Sequence, residues 1–247
     1  MRTSNPALRA ETFQGYRYAT GQGVMTVNGA VNKTGILAVL LFAAAVYSWG
    51  QSTVIPGQVT LSPLTWVGLF GGLIVAMVTV FKHSWSPITA PLYAVLEGLF
   101  LGGISALFES RFPGIAFQAI LLTIGTLTAM LVAYRIGLIR VSNNFIRGVA
   151  AATGGVFLIY MASWILGIFG VSIPYIHGSG MIGIGFSLVV IVIAALNLVL
   201  DFHLIEEGAN RGAPKFMEWY AAFSLLVTLV WLYFEILRLL AKLQSRD

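Results

Sequence analysis

Seven runs of apolar residues, each approaching the roughly 20-residue length that crosses a hydrocarbon core, fill the chain from about residue 35 to residue 240. They lie at 35–49, 63–81, 88–108, 115–138, 148–170, 181–205 and 216–240, the first extending back toward Val31. In lipid every backbone N–H and C=O must find a partner inside the protein, which restricts spanning segments to helices and closed barrels. Barrel strands alternate apolar with polar residues, whereas these runs are continuous, so helices are expected. The sequence predicts an all-α polytopic membrane protein, with seven transmembrane helices in one compact bundle. Turn chemistry separates the runs, at Ile55-Pro56-Gly57, Ser86-Pro87, Phe112-Pro113-Gly114, Ser142-Asn143-Asn144, Ile173-Pro174 and Gly212-Ala213-Pro214.

Composition narrows the remaining choices. Hydrophobic residues make up 58% of the chain and charged residues 9%, which leaves no polar segment after Lys33 long enough to fold by itself. The expected organisation is a polar N-terminal tail at 1–32, a seven-helix domain at 33–241 and a short polar C-terminal tail at 242–247. Cysteine is absent, which excludes disulfides, thiolate metal sites and cysteine nucleophiles. The net charge of +5 comes from residues dispersed near helix ends rather than clustered on a stripe, so the expected partner is the lipid bilayer and not nucleic acid. Arg2, Arg9 and Arg17 are followed by no apolar core with a cleavage site, so the first run is expected to stay in the membrane.

Basic residues set the expected orientation. With the N-terminus inside, Arg2, Arg9, Arg17, Lys33, Lys82, Arg135, Arg140, Arg147, Arg211 and Lys215 fall on the cytoplasmic side. Arg111, Arg238, Lys242 and Arg246 fall on the other. Three of those four sit in the C-terminal region, which leaves open a re-entrant seventh segment that would return them to the cytoplasm. Gly71-Gly72, Gly98, Gly102-Gly103 and Gly154-Gly155 mark helix faces where backbones can approach closely.

Three acids stand inside the apolar runs, where ionisable groups are costly and usually face a bundle interior or a water path. Asp201 closes the run from Val189 to Leu200, and Asn197 stands one turn before it on the same helix face. Glu235 continues a polar seam on helix seven through Ser224, Thr228 and Trp231, and Arg238 three residues on is in reach for a local ion pair. Glu97, about nine residues into helix three, is the deepest of the three. No catalytic machinery is visible and an enzyme is not expected. Ser179 lies between glycines without the strand-and-elbow context of a hydrolase, and His83, His177 and His203 are scattered. Metal and nucleotide motifs are lacking, and no cofactor is expected.

These residues resemble those of the bacterial Bax inhibitor-like (TMBIM-like) family. The cues are seven compact helices, the small-residue third helix Leu96-Glu97-Gly98-Leu99-Phe100-Leu101-Gly102, Asp201 near the end of helix six, and Leu232-Tyr233-Phe234-Glu235-Ile236-Leu237-Arg238-Leu239-Leu240 closing helix seven. The resemblance covers 33–240, while Asn5-Pro6-Ala7-Leu8 and Met25-Thr26-Val27-Asn28-Gly29 look like a bacterial subfamily trait. It implies a pH-sensitive cation leak, chiefly for calcium, in the bacterial inner membrane, controlled by an acidic pair between helices six and seven. Asp201 matches the helix-six acid and becomes a transient calcium contact. Glu235 matches the helix-seven acid in one register, and the register one turn away puts Trp231 there instead. Helix arithmetic offers Glu97 as the competing partner, since its depth differs from that of Asp201 by only about 5 Å. Two acids in contact cannot both ionise cheaply and titrate as a unit, which makes such a pair a switch. The alternative is a non-transporting regulator that binds a membrane protease or another membrane complex through the polar leader.

Overall fold

A computed structural model of the chain describes residues 23–55, 58–170 and 178–245. Its seven long helices are α1 (Val27–Gln51), α2 (Pro63–Phe81), α3 (Ser86–Arg111), α4 (Ile115–Arg135), α5 (Asn143–Ile168), α6 (Met181–Asn210) and α7 (Met217–Gln244). All seven are long and apolar enough to cross a membrane, and the protein is an integral membrane protein with an all-helical bundle. Three helices start where an N-cap side chain supplies an acceptor for the first N–H groups. Thr26 caps α1 by accepting from Gly29, Ser62 stands before Pro63 at the start of α2, and Ser142 accepts from Phe145 at the start of α5. Glycine serves the turns that need a left-handed residue, at Gly114 (φ 87°) before α4 and Gly212 (φ 67°) before α7.

The helices outrun the apolar stretches because polar residues at their ends still continue backbone hydrogen bonding. α1 begins at Val27 and takes in 27–32 from the segment assigned to the polar tail, and α6 continues past Ile205 through two glutamates to Asn210. Between α1 and α2, β1 (Thr53–Ile55) pairs antiparallel with β2 (Gln58–Thr60). α7 runs unbroken. Lys242 near its end donates to the Gly183 carbonyl and the Ser187 hydroxyl, both at 2.9 Å, so α7 reaches the level at which α6 begins. The final segment is thus a full-length helix and not a re-entrant one. Arg2, Arg9, Arg17, the motif at 5–8, Pro56-Gly57, Ile173-Pro174, His177 and Arg246 lie outside the described residues.

Two faces follow from these contacts. The beginnings of α1, α3 and α7 and the end of α6 meet on one, where Ser86 donates to the Phe216 carbonyl at 2.9 Å and the His83 ring meets Tyr220 edge-on at 4.6 Å. We call it the N-face, and the C-face holds the end of α7 and the beginning of α6. α7 is the central helix, packed against α6, α1, α4 and α3, whereas α2 rests on α3 and α5 on α6. Glycines make the tightest seams. At Gly98 and Gly102 of α3 an added Cβ would run into the backbone of α1 at Leu41 and Ala45, and at Gly68 of α2 it would stand 2.5 Å from the Leu96 carbonyl oxygen of α3.

Candidate functional site: membrane-embedded polar groups around the central helix

Asp201 is 1% exposed on α6, and Asn197 one turn earlier is likewise buried. The Asn197 amide donates to Thr153 Oγ1 of α5 and to the Ile193 carbonyl of its own helix, both at 2.8 Å. The first bond ties the peripheral α5 to α6 in the middle of the bundle. A buried amide needs such partners, because leaving one donor unmade costs about 1–3 kcal/mol.

Glu235 lies near the C-face. The Tyr160 hydroxyl of α5 donates to its carboxylate, 3.0 Å from each oxygen, and Arg238 stands 3.3 Å from Oε1. Arg238 also donates to the Tyr160 oxygen at 2.7 Å, with its guanidinium 5.0 Å from the ring centroid. The ion pair expected from the three-residue spacing is therefore made, and Tyr160 completes it from another helix.

Glu97 is partly buried in the seam between α2 and α3. Its carboxylate faces Gly72, where an added Cβ would lie 3.2 Å from Oε2, and the Tyr93 hydroxyl one turn earlier is in hydrogen-bonding reach. Among the described residues no cation is ion-paired with it.

Helix rise converts these contacts into depths. Counting back from the level shared by Ser187 and Lys242, antiparallel α6 and α7 put Asp201 opposite α7 near Thr228 at 1.5 Å per residue. Counting on from the level shared by Ser86 and Phe216 puts Glu97 within about 2 Å of the same depth. Glu235 lies about 10 Å nearer the C-face. Asp201 and Glu97 thus share a depth, but α3 and α6 each pack on α7, which lies between them. Asp201 and Glu235 sit on neighbouring helices, but at different depths. At the depth of Asp201, α7 carries the buried hydroxyl of Thr228, with that of Ser224 about 6 Å nearer the N-face. Among the described residues no group of three or more His, Cys, Asp or Glu side chains is placed to hold a metal ion.

A family model described as Bax inhibitor 1 like matches residues 5–245. The chain belongs to the Bax inhibitor 1 like family. No curated protein sequence matches it. The match covers nearly the whole chain, so the family assignment extends to the leader as well as the helices. Within this Bax inhibitor 1 like bundle, three polar groups were not singled out by their sequence context. Glu218, fully buried at the first turn of α7, pairs with Lys33 of α1 and with Lys215. Tyr160 and Lys242 complete the C-face cluster. An acid in a first helical turn three residues after a lysine is a local signal for Glu218. Its pairing with Lys33, 185 residues away in sequence, leaves no local trace.

Nearer the N-face, α6 carries His203 and Glu206 on the side away from Asp201, turned toward α4. Tyr134 of α4 donates to Glu206 and stands 3.4 Å from His203 Nδ1. Asn197 and Asp201 thus form a buried polar pair on one face of α6, and His203 and Glu206 a separate, more exposed pair on the other.

Proposed function

We propose that this Bax inhibitor 1 like protein is a pH-sensitive cation leak, for calcium, in the bacterial cytoplasmic membrane, with its N-terminus in the cytoplasm and Asp201 as the controlling acid. The single observation that carries this reading is a carboxyl 1% exposed at mid-depth in the bundle, on the helix that packs most closely against the central one. Such an acid is expensive to keep and is retained where charge must enter the membrane. Carboxylate and carbonyl oxygens are also the ligands a hard divalent cation prefers, and Asp201 supplies a carboxylate at that depth. The nearest titratable groups in sequence on α6, His203 and Glu206, lie on its other side against Tyr134 of α4. Glu97 and Tyr93 stand across α7 on α3.

Protonation changes what Asp201 can do. A neutral carboxyl donates one hydrogen bond and holds neighbouring helices together, while an ionised one must be solvated, by water, donors or a cation. Opening a path would supply that solvation. In calcium-loaded liposomes, Asp201→Asn is expected to abolish the pH dependence of calcium release while leaving the folded bundle intact by tryptophan fluorescence. Unchanged pH-dependent release from that variant would defeat the reading. Absence of release from the wild type, together with recovery of a membrane protease on the intact chain, would favour the regulator reading instead.

A further inference from the structure

Residues 24–26, ahead of α1, cross the loop between α6 and α7. Val24 pairs with Pro214 in an antiparallel bridge, and the Met25 N–H donates to the Ala213 carbonyl at 2.7 Å. The Met25 side chain is buried in the same apolar core as Ala213 and Met217. Insertion of α1 into a membrane does not require burial of a methionine ahead of its N-cap. Here that methionine fills the space where α1, α6 and α7 converge.

Glu218 holds the segment in place. Its carboxylate accepts from the Thr26 N–H and the Thr26 hydroxyl at 2.9 Å each, and from Lys215 at 2.8 Å. Lys33 of α1 forms an ion pair with its other oxygen, and the Lys33 ammonium lies 5.5 Å from the Trp219 ring centroid. Gly29 comes so close that any Cβ there would overlap the carboxylate. A buried carboxylate is tolerated only with paired charge and satisfied lone pairs. Three of its four donor groups come from Thr26 and Lys33, so the start of α1 cannot leave without stranding the charge. Asp201 lies about 13 Å along α6 from the Asn210 end, next to which the segment crosses.

We propose that residues 24–26 form a strap that closes the N-face of the bundle above Asp201, with Met25 as its plug and Glu218 as its clasp. Its effect on flux rests on the cation-leak reading, but its effect on access to the bundle interior does not. Release of the strap would expose the buried α6 face at Leu204, one turn from Asp201, to the aqueous side.

The chain has no cysteine, so introduced thiols report without background. One cysteine is placed at Leu204, which is buried three residues nearer the N-face than Asp201. Labelling by a charged maleimide is then followed in nanodiscs, where both faces are open. Met25→Ala and Glu218→Gln should each raise the labelling rate of Leu204→Cys about tenfold or more, the change in open population that losing a plug or a charge-assisted contact implies. Cα atoms of bridge partners lie about 4.5–5.5 Å apart, a span suited to a disulfide. Val24→Cys/Pro214→Cys, oxidised, should therefore slow calcium release from liposomes, and reduction should restore it. Leu204 labelling that is indifferent to both Met25→Ala and Glu218→Gln would overturn the strap whatever the flux. Labelling that responds as expected, in protein that releases no calcium in any form, would uphold the strap and defeat the leak reading. Met25→Ala leaves every polar contact of the clasp in place, so the test holds even if Glu218→Gln does not fold.

Discussion

Replacing Gly98 and Gly154 by alanine should change stability in opposite directions, although both are glycines in membrane-spanning helices. At Gly98 of α3 the new methyl would stand 2.8 Å from the Ala44 Cβ of α1 and closer still to the Leu41 carbonyl oxygen. Ordinary contact begins near 3.4 Å, so α1 and α3 must part by about 0.6 Å or more, and a gap of that size forfeits roughly a quarter to a half of each dispersion contact along the seam. Overpacking of this kind costs about 1–3 kcal/mol. The better helix propensity of alanine returns at most ~1 kcal/mol. A net loss of about 1 kcal/mol is expected at Gly98. At Gly154 of α5 nothing stands within 4 Å of the added methyl, so only the propensity term remains and a gain of about 0.5–1 kcal/mol is expected. The assay is SDS titration of the purified protein in mixed micelles, followed by tryptophan fluorescence. Equal stabilities, or Gly98→Ala above Gly154→Ala, would refute the assignment of Gly98 to a close-packed seam.

Other outcomes follow from single contacts. Tyr160→Phe removes the donor that α5 supplies to buried Glu235, and should lower stability in the same titration by about 1–3 kcal/mol. Asn197 and Thr153, bonded at 2.8 Å, should show a coupling of about 0.6–1.7 kcal/mol in a double-mutant cycle with alanine. A coupling of zero would mean that the bond does not hold α5 to α6. The Glu109 carboxylate accepts from the Gly114 and Ala116 N–H groups at the start of α4, and Glu109→Ala should cost about 0.5–2 kcal/mol, with faster amide exchange confined to the first turn of α4 as the local signature.

The sequence by itself determined that the chain crosses a membrane seven times as helices, because a hydrocarbon solvent leaves the backbone almost no other choice. It placed the limits of α2 at Pro63 and Phe81 and the starts of α4 and α6 at Ile115 and Met181, where turn residues interrupt long apolar runs. It pointed to Gly98 and Gly102 as packing positions and to the Glu235–Arg238 pair, but it also pointed to Gly154-Gly155, where nothing stands within 4 Å of an added Cβ. What it left open was every relation between helices. Which acid can meet Asp201, Glu97 or Glu235, depends on which helices are neighbours and at what relative depth, and a residue's type encodes neither. The strap was hidden for the same reason. Met25 and Thr26 lie in a stretch with no helical or apolar periodicity, and only the folding back of α7 beside α1 brings Glu218 to them. Local spacing records what a helix does with its own turns, whereas burial of a lone carboxylate is decided by donors that arrive from the far end of the chain.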